Sequence, residues 1–491
     1  MSQPATGLPL RTVGKHVMVY GLGIVVSRAA SFIMLPIYTR YLHPADYGIL
    51  ELLQMTTDVV SMLAGIGLAQ SVFRYYAQDD DPVDRAHTVS TAAITLIAIA
   101  AALTALGILA SPLLTRVILH VDHPEYFRIY FVTYFAQSVA IIPLAYLRAT
   151  KRSLLFVSLN VSQLLISLSL NIYFVVFRGM GVFGVLISGL TASGVIAVIT
   201  SIYVARQVGL HYSLTKARRL ARFGAPLALW SVGSFVLTFS DRYFLNHYKT
   251  TSIVGIYSLG YKFGFILAAF AYQPFSQIWD PHRFEVAKQA DAQTVFDRVF
   301  FYLSLVLAVM AFLIAIFVKD FLRIMSDHAY LPAYRVVPIV LVAYILQSWT
   351  NYHGVGIYLK DQTRFAAIAS WWGVAACLAL NFALIPTFGM YGAAWATVGA
   401  FGVRYLLVYL FSQRVYPVHY HWGRVAWLFG LTGAGVAARW MMRDWPLVAS
   451  VGFTTVIAAV VIGAIIGLVV TREERATFMS IARRRLALLL G

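Results

Sequence analysis

The stretch TVSTAAITLIAIAAALTALGILA, residues 88–110, contains no charged residue and is long enough to cross a bilayer as a helix. A hydrocarbon core about 30 Å thick needs roughly 20 apolar residues of helix. Similar stretches fill the 491-residue chain almost from end to end, with short basic segments between them. The chain is therefore predicted to be an all-α polytopic membrane protein, because a helix satisfies its own backbone hydrogen bonds in lipid.

Composition supports the same class of protein. Hydrophobic residues make up 60% and charged residues 12% of the chain, and the mean hydropathy is +0.75. A soluble domain carries about twice that share of charge. About fourteen spans of membrane length are predicted, at residues 16–38, 48–73, 88–110, 127–147, 153–177, 182–205, 224–248, 252–277, 299–318, 334–358, 365–386, 390–413, 424–442 and 447–470.

The distribution of basic residues predicts the orientation of the chain. Net charge is +18. The segments on the side of the N-terminus hold more than twice as many Lys and Arg residues as those on the opposite side. The positive-inside rule therefore predicts cytoplasmic N- and C-termini. This basicity reflects topology and attraction to anionic lipid, not a nucleic-acid surface. The single cysteine, Cys377, lies inside a predicted span, so no intramolecular disulfide is possible.

The chain repeats itself weakly at a spacing of roughly 200 residues. Thr39–Leu42 and Ala45–Leu50 are matched by Asp241–Phe244 and Ser252–Tyr257. The later matches are Lys151 with Lys360, Leu170-Asn171 with Leu380-Asn381, and Gly179-Met180 with Gly389-Met390. Each repeat spans six helices and both begin on the same side of the membrane. This parallel pseudo-twofold arrangement is typical of two-lobed transporters with a central site of alternating access.

The repeat divides the chain into five segments. Two extra helices follow the second repeat, and basic segments lie between the repeats and at the C-terminus. We expect both basic segments to lie on the anionic cytoplasmic leaflet as amphipathic helices, or to be solvated segments that carry topology charges. The predicted segments are a six-helix lobe at 1–210, a linker at 211–223, a second six-helix lobe at 224–414, the extra pair at 415–470 and a basic tail at 471–491.

Two motifs resemble a known family. Leu35-Pro-Ile-Tyr-Thr-Arg-Tyr-Leu-His-Pro-Ala-Asp-Tyr-Gly48 resembles the first-helix signature of bacterial polysaccharide exporters, and residues 380–394 resemble their late-helix signature. The family is the oligosaccharide flippases (Wzx-type) of the multidrug/oligosaccharidyl-lipid/polysaccharide exporter superfamily. The resemblance covers essentially the whole chain, and the extra helix pair is similar to that of the fourteen-helix lipid II flippases.

The resemblance implies a function and a location. A flippase of this family moves an undecaprenyl-pyrophosphate-linked oligosaccharide across the bacterial cytoplasmic membrane for surface polysaccharide synthesis, such as lipopolysaccharide O-antigen or exopolysaccharide. It implies the lipid-linked oligosaccharide and membrane lipids as partners, and a polysaccharide polymerase and other assembly proteins as further candidates. It implies no nucleic acid, metal or cofactor.

Three cations lie near the middle of predicted spans: Arg28, Lys262 and Arg404. A charge at the centre of a bilayer costs at least about 2.5–3.5 kcal/mol, so each side chain should face the protein interior. Three cations on different helices suggest a cavity suited to pyrophosphate, because a guanidinium pairs with phosphate oxygens in a bidentate fork. The alternative is that each cation is the structural partner of a nearby carboxylate.

Carboxylates also lie within the spans. Glu51, Gln54, Asp58 and Ser61 form a continuous polar stripe at helical spacing, and Ser231, Ser234, Thr238 and Asp241 repeat that spacing. Asp58 or Asp241 could couple transport to protons or sodium, since a desolvated carboxylate titrates close to neutral pH. The alternative, which the nearby basic residues favour, makes Glu51, Asp58 and Asp241 partners of Arg28, Lys262 or Arg242 in ion pairs between helices.

Uncharged polar faces mark two further spans. Asn160, Gln163, Ser167 and Asn171 lie on one span, and Gln347, Asn351 and Gly354 on another. They are expected to hydrogen-bond sugar hydroxyls or to hold helices together.

The sequence contains no GxxxxGK[ST], HExxH, CxxC or GxSxG motif, so the chain is not predicted to be an enzyme. The alternative to a flippase is a multidrug or organic-cation antiporter of the same superfamily, whose cavity should be acidic. A membrane-embedded glycosyltransferase or ligase is disfavoured, because the longest external stretches are only Ser111–Tyr126 and Lys319–Ala333.

Overall fold

The computed structural model of the protein describes residues 34–79, 81–441 and 445–475. Its described residues are almost entirely helical, which confirms the predicted class. The chain forms two compact units, Met1–Gly255 and Ile256–Gly491, and the boundary between them falls inside a helix.

Within the described residues, the first unit holds a helical stretch at 34–41, six longer helices and the start of another. Helix α1 consists of Pro44–Ser61, a π-turn at Met62–Ile66 and Gly67–Gln78. The helices that follow are α2 (Pro82–Leu119), α3 (Pro124–Ala149), α4 (Ser153–Phe177), α5 (Gly181–Val208), α6 (Leu214–Tyr248) and α7 (Thr251–Val286). Helix α6 runs without a break from the predicted basic linker into the predicted span 224–248.

The described part of the second unit contains the rest of α7 and six further long helices. They are α8 (Ala292–Met325), α9 (Val337–Leu359), α10 (Thr363–Phe388), α11 (Met390–Val415), α12 (Trp422–Met441) and α13 (Leu447–Val469). A short 3-10 helix, His328–Arg335, precedes α9 at an angle of 46°.

Most predicted spans coincide with these helices. Within the described residues, nine helices are long and apolar enough to cross a membrane, or ten if the bent pair at α9 is one span. Helices α1, α6 and α12 occupy the predicted spans 48–73, 224–248 and 424–442. The predicted span 16–38 lies outside the described residues except for its last few positions.

Proline and short polar side chains set where helices begin. Pro44 and Pro82 stand at the first turns of α1 and α2, where the missing backbone donor is not needed. The Asp81 side chain accepts a hydrogen bond from the Val83 amide at 3.0 Å. The Asp46 carboxylate accepts one from the His43 amide at 3.1 Å. These caps satisfy amides that have no partner within the helix.

The same helix pairings recur in the two units. In the first unit α3 packs on α2 and α5, and α4 packs on α5. In the second unit α9 packs on α8 and α11, and α10 packs on α11. This agreement of neighbours is what the predicted repeat requires, since equivalent helices should have equivalent partners.

Turn geometry gives the register of the repeat. The Arg152 amide bonds the Leu147 carbonyl at 2.9 Å, and the Gln362 amide bonds the Ile357 carbonyl at the same distance. The residue before each donor is left-handed: Lys151 has φ 57° and Asp361 has φ 54°. The equivalent of Lys151 is therefore Asp361, so the sequence match of Lys151 with Lys360 was wrong by one position. A weak sequence repeat therefore identifies equivalent helices more accurately than equivalent residues within a turn.

Two buried asparagines follow the same register. Asn171 bonds the Ser167 hydroxyl one turn earlier at 3.2 Å, and Asn381 contacts the Cys377 sulfur in the same way at 3.5 Å. Both asparagines are almost fully buried. The glycine that follows each of these helices, Gly179 or Gly389, also has a positive φ. The matched strings in the sequence thus form the same local structure in both units.

Two repeat-matched glycines allow a close crossing of helices inside the first unit. A Cβ atom on Gly48 of α1 would overlap the carbonyl oxygen of Thr251, and one on Gly255 would overlap the carbonyl oxygen of Pro44. The contact is reciprocal, because each glycine faces the residue four positions before the other. Only glycine permits this approach of two backbones.

We expect Gly48→Ala to destabilise the protein strongly. The added methyl must push α1 away from the start of α7, and overpacking of this kind costs about 1–3 kcal/mol or more. Thermal unfolding in detergent should show a clear decrease in the midpoint. Gly189→Ala on α5 is the matched control, since a Cβ there meets nothing within 4 Å. An unchanged midpoint for Gly48→Ala would contradict the crossing.

The extra helix pair is joined to α8 by buried charges. Arg439 of α12 donates to Asp320 of α8 at 3.0 Å, and Ser450 of α13 donates to the same carboxylate at 2.7 Å. Asp320 and Arg439 are only 2% and 4% exposed. Near the start of α12, Arg424 pairs with Glu474 at 2.7 Å and lies 3.8 Å over the ring of Phe301. Helices α12 and α13 are therefore held to α8 at both ends.

Candidate substrate site

Two of the three predicted cations, Lys262 and Arg404, lie among the described residues. Arg28 lies outside the described residues. Lys262 is half-buried in the first part of α7, whereas Arg404 is half-buried near the middle of α11. Arg404 belongs to a polar cluster in the second unit that also contains the far end of α7.

Arg404 shares this cluster with a second arginine. Arg283, near the C-terminal end of α7, lies 4.8 Å from the ring centroid of Tyr358. Tyr358, near the end of α9, is also an electrostatic neighbour of Arg404. Two guanidinium groups from different helices thus flank one tyrosine. The Nε–H groups of both arginines are buried and meet no hydrogen-bond acceptor among the described residues.

The other members of the cluster are mostly uncharged. Tyr272 of α7 hydrogen-bonds the Asn351 side chain of α9. Asp280 is the one carboxylate, 3.3 Å from an Arg283 nitrogen. Half of the Asp280 side chain is exposed, whereas that of Arg283 is 11% exposed. The cluster, defined by Tyr272, Asp280, Arg283, Asn351, Tyr358 and Arg404, therefore carries two cations against one partly solvated carboxylate.

Chemically, this cluster is suited to an anion. An unsatisfied donor in a low-dielectric setting costs about 1–3 kcal/mol, so two buried Nε–H groups favour an acceptor supplied from outside the described protein. A phosphate oxygen meets that need, and guanidinium binds it in a planar fork. Tyr272, Asn351 and Tyr358 add donors that could orient the same ligand.

Asp241 and Arg242 form an ion pair in the first unit. They are neighbours on α6, and the Arg242 Nη1 lies 2.8 Å from the Asp241 carboxylate. Both side chains are almost fully buried. Arg242 also donates to the Thr238 carbonyl at 3.0 Å. Asp241 is thus paired with Arg242 of its own helix.

Glu51 and Asp58 lie on one polar face of α1. The neighbouring Thr56 hydroxyl is 3.0 Å from the Tyr243 hydroxyl of α6, and Tyr130 of α3 bonds the Thr57 hydroxyl. Asp58 is half-buried, and its carboxylate makes no hydrogen bond or ion pair within the part of the chain that the structure describes. Among the described residues, the charge that acts on Asp58 is the like charge of Glu51, two turns earlier.

Sequence reasoning missed Arg283 as a site residue. The predicted span 252–277 ends before it, so Arg283 falls in a segment between two predicted spans. The structure extends α7 to Val286. The signal that could have revealed it is the helical run Gln273–Val286, in which Asp280 and Arg283 lie one turn apart on the same face.

Comparisons with known proteins agree with this fold. The chain superposes on a lipid II flippase MurJ in an inward closed conformation with a TM-score of 0.75 at 10% identity, covering 91% of this chain and 99% of that one. An inward-facing multidrug resistance transporter of the MATE family gives a TM-score of 0.62 at 14% identity, covering 82% and 94%. At these identities the likeness shows the fold alone.

The sequence comparisons give the family. The family model described as polysaccharide biosynthesis protein matches residues 13–281. The chain belongs to this family. A probable low-salt glycan biosynthesis flippase, Agl15 of Haloferax volcanii, is 25% identical over 218 residues. That match covers 44% of this chain and 46% of the relative, so the chain spans about half the length of the curated relative it matches.

Proposed function

We propose that this protein is a flippase that moves a polyprenyl-pyrophosphate-linked oligosaccharide across the bacterial cytoplasmic membrane by alternating access along a cationic path. The observation that carries the proposal is the pair Arg283 and Arg404, whose buried Nε–H groups meet no acceptor among the described residues. The family of the chain and the transporter fold support the same function. Arg28 and Lys262 are proposed as further cations of this path.

Reconstitution tests the transported substrate directly. The purified chain is placed in proteoliposomes that contain the lipid-linked oligosaccharide fraction of a producing strain, and a glycosidase outside the vesicles reports lipid that has crossed. We expect cleavage of the pool from the inner leaflet only when the protein is present. Efflux of ethidium, an organic cation, is measured alongside. Ethidium transport without movement of the glycolipid would favour the antiporter instead.

A second proposal concerns coupling. Asp58 is a half-buried carboxylate with no partner among the described residues, and the like charge of Glu51 favours uptake of a cation or a proton there. We propose that ion binding at Asp58 drives the conformational cycle. The alternative is that Asp58 pairs with a cation in another conformational state.

Asp58→Asn should therefore remove the dependence of transport on an ion gradient and leave binding of the polyprenyl-pyrophosphate lipid unchanged. The measurement is flipping in proteoliposomes with and without imposed proton and sodium gradients. Asp46→Asn, at the start of the same helix, is the control. If Asp58→Asn responds to the gradients as the wild type does, the coupling proposal fails.

A further inference from the structure

An uncharged polar cluster connects three helices of the first unit. Gln137 of α3 and Gln163 of α4 both point their side-chain nitrogens at the Ser193 hydroxyl of α5, at 3.5 Å and 3.4 Å. Both distances are long for a hydrogen bond, whose usual length is near 2.9–3.0 Å. One hydroxyl is thus shared loosely between two amides.

These amides have more hydrogen-bonding capacity than the protein uses. Each glutamine offers two N–H donors and an oxygen with two lone pairs. Neither side-chain oxygen, in Gln137 or Gln163, accepts a hydrogen bond from any residue that the structure describes. Gln137 is exposed and Gln163 is half-buried, whereas Ser193 is buried. The spare donors and acceptors are therefore accessible.

The position of Gln137 indicates a polar surface rather than lipid. Helix α3 is apolar enough to span a membrane, and an exposed amide facing hydrocarbon would lose its hydrogen bonds to water. Tyr130 lies on the same face of α3, about 10 Å away by helical rise, and bonds Thr57 beside the carboxylates of α1. The polar face thus runs from Glu51 and Asp58 to the amides.

We propose that Gln137, Gln163 and Ser193 form a subsite for the hydroxyl groups of the transported glycan, a proposal that rests on the proposed flippase function. A sugar hydroxyl both donates and accepts a hydrogen bond, and a primary amide does the same. The subsite carries no charge, so it does not compete for the pyrophosphate. It confers selectivity, because a site built around hydroxyls discriminates strongly against a ligand that lacks them.

A comparison of binding to two lipids separates recognition of the glycan from binding of the pyrophosphate. The probes are polyprenyl pyrophosphate and the lipid-linked oligosaccharide fraction from a producing strain, and their affinities are measured with the purified protein in nanodiscs. The variant is Gln137→Met with Gln163→Met, which keeps the length of both side chains and their helix propensity. Ser158→Ala on α4 is the control, since its hydroxyl already bonds the Leu155 carbonyl of its own helix at 3.0 Å.

We expect the double variant to bind the oligosaccharide lipid about tenfold more weakly, to bind the bare lipid as the wild type does, and to keep its unfolding midpoint. Unchanged binding of both lipids would overturn the subsite. Equal loss for both lipids with a lower unfolding midpoint would overturn it too, because the amides would then only hold helices together. If the wild type binds the two lipids equally, the subsite is rejected but the flippase function is not. If the wild type binds neither lipid, the flippase function is rejected as well.

Discussion

Arg404→Ala is expected to lower the affinity for polyprenyl pyrophosphate about 10- to 100-fold and to reduce flipping accordingly. The estimate follows from the roughly 1.5–3 kcal/mol of a hydrogen bond to a charged group, with 1.4 kcal/mol for each tenfold change. Arg404 is half-buried on α11 and its Nε–H meets no acceptor among the described residues. An anion that binds there gains a donor that the described protein leaves unsatisfied.

The neighbouring arginine should behave in the same way. Arg283→Ala removes the second guanidinium beside Tyr358 and also leaves Asp280 without its nearest cation. If both guanidinium groups hold one pyrophosphate, we expect the double variant Arg283→Ala with Arg404→Ala to bind the lipid no better than either single variant. Arg404→Lys should recover only part of the affinity, because an ammonium lacks the planar fork.

Arg364→Ala is the control for loss of charge. Arg364 is exposed at the start of α10 and stacks 5.1 Å from the Phe365 ring. Its replacement removes one positive charge without touching the cluster, so binding should change little. Wild-type affinity in a well-folded Arg404→Ala protein would remove this residue from the substrate site.

Arg439→Met is expected to destabilise the second unit by about 3–5 kcal/mol, the usual cost of breaking one partner from a buried ion pair. The variant leaves the Asp320 carboxylate buried, with the Ser450 hydroxyl at 2.7 Å and Arg323 at 3.5 Å as remaining partners. Helices α12 and α13 should then detach from α8 first. Limited proteolysis between these helices and the unfolding midpoint in detergent measure the effect.

A double variant shows whether the cause is the uncompensated charge. Asp320→Leu combined with Arg439→Met replaces both partners by apolar side chains, and such replacements are often neutral or stabilising. We expect it to recover most of the stability that Arg439→Met loses. A double variant as unstable as the single one would show that packing, and not the buried carboxylate, is responsible. Arg178→Ala, an exposed arginine of the first unit, serves as the control.

The positions of the helices could be predicted well, because the length of a run of hydrophobic residues is a local property of the chain. Residues 88–110 lie within α2, and the predicted span 390–413 nearly coincides with α11. The ends were less predictable. Helix α7 continues to Val286, well past the predicted end at 277, because polar residues near a membrane surface cost a helix little.

The candidate site could be predicted only in part, because which residues come together depends on which helix faces pack against each other. Arg404 could be selected from the energetic cost of a charge inside a span. Its neighbour Arg283 could not, since only the folded chain brings the end of α7 beside Tyr358. Asp241 likewise has Arg242 of its own helix as an ion-pair partner, which no count of charges per span would reveal.

The sequence by itself determined the class of protein, the number of spans within a few, the internal repeat and the resemblance to polysaccharide exporters. These follow from runs and spacings that are read along one chain. Tertiary structure alone decided the reciprocal crossing at Gly48 and Gly255, the anchoring of α12 and α13 through Asp320, and the convergence of Gln137 and Gln163 on Ser193. Each depends on contacts between distant segments, and the rotation of a helix about its axis is set by what it packs against.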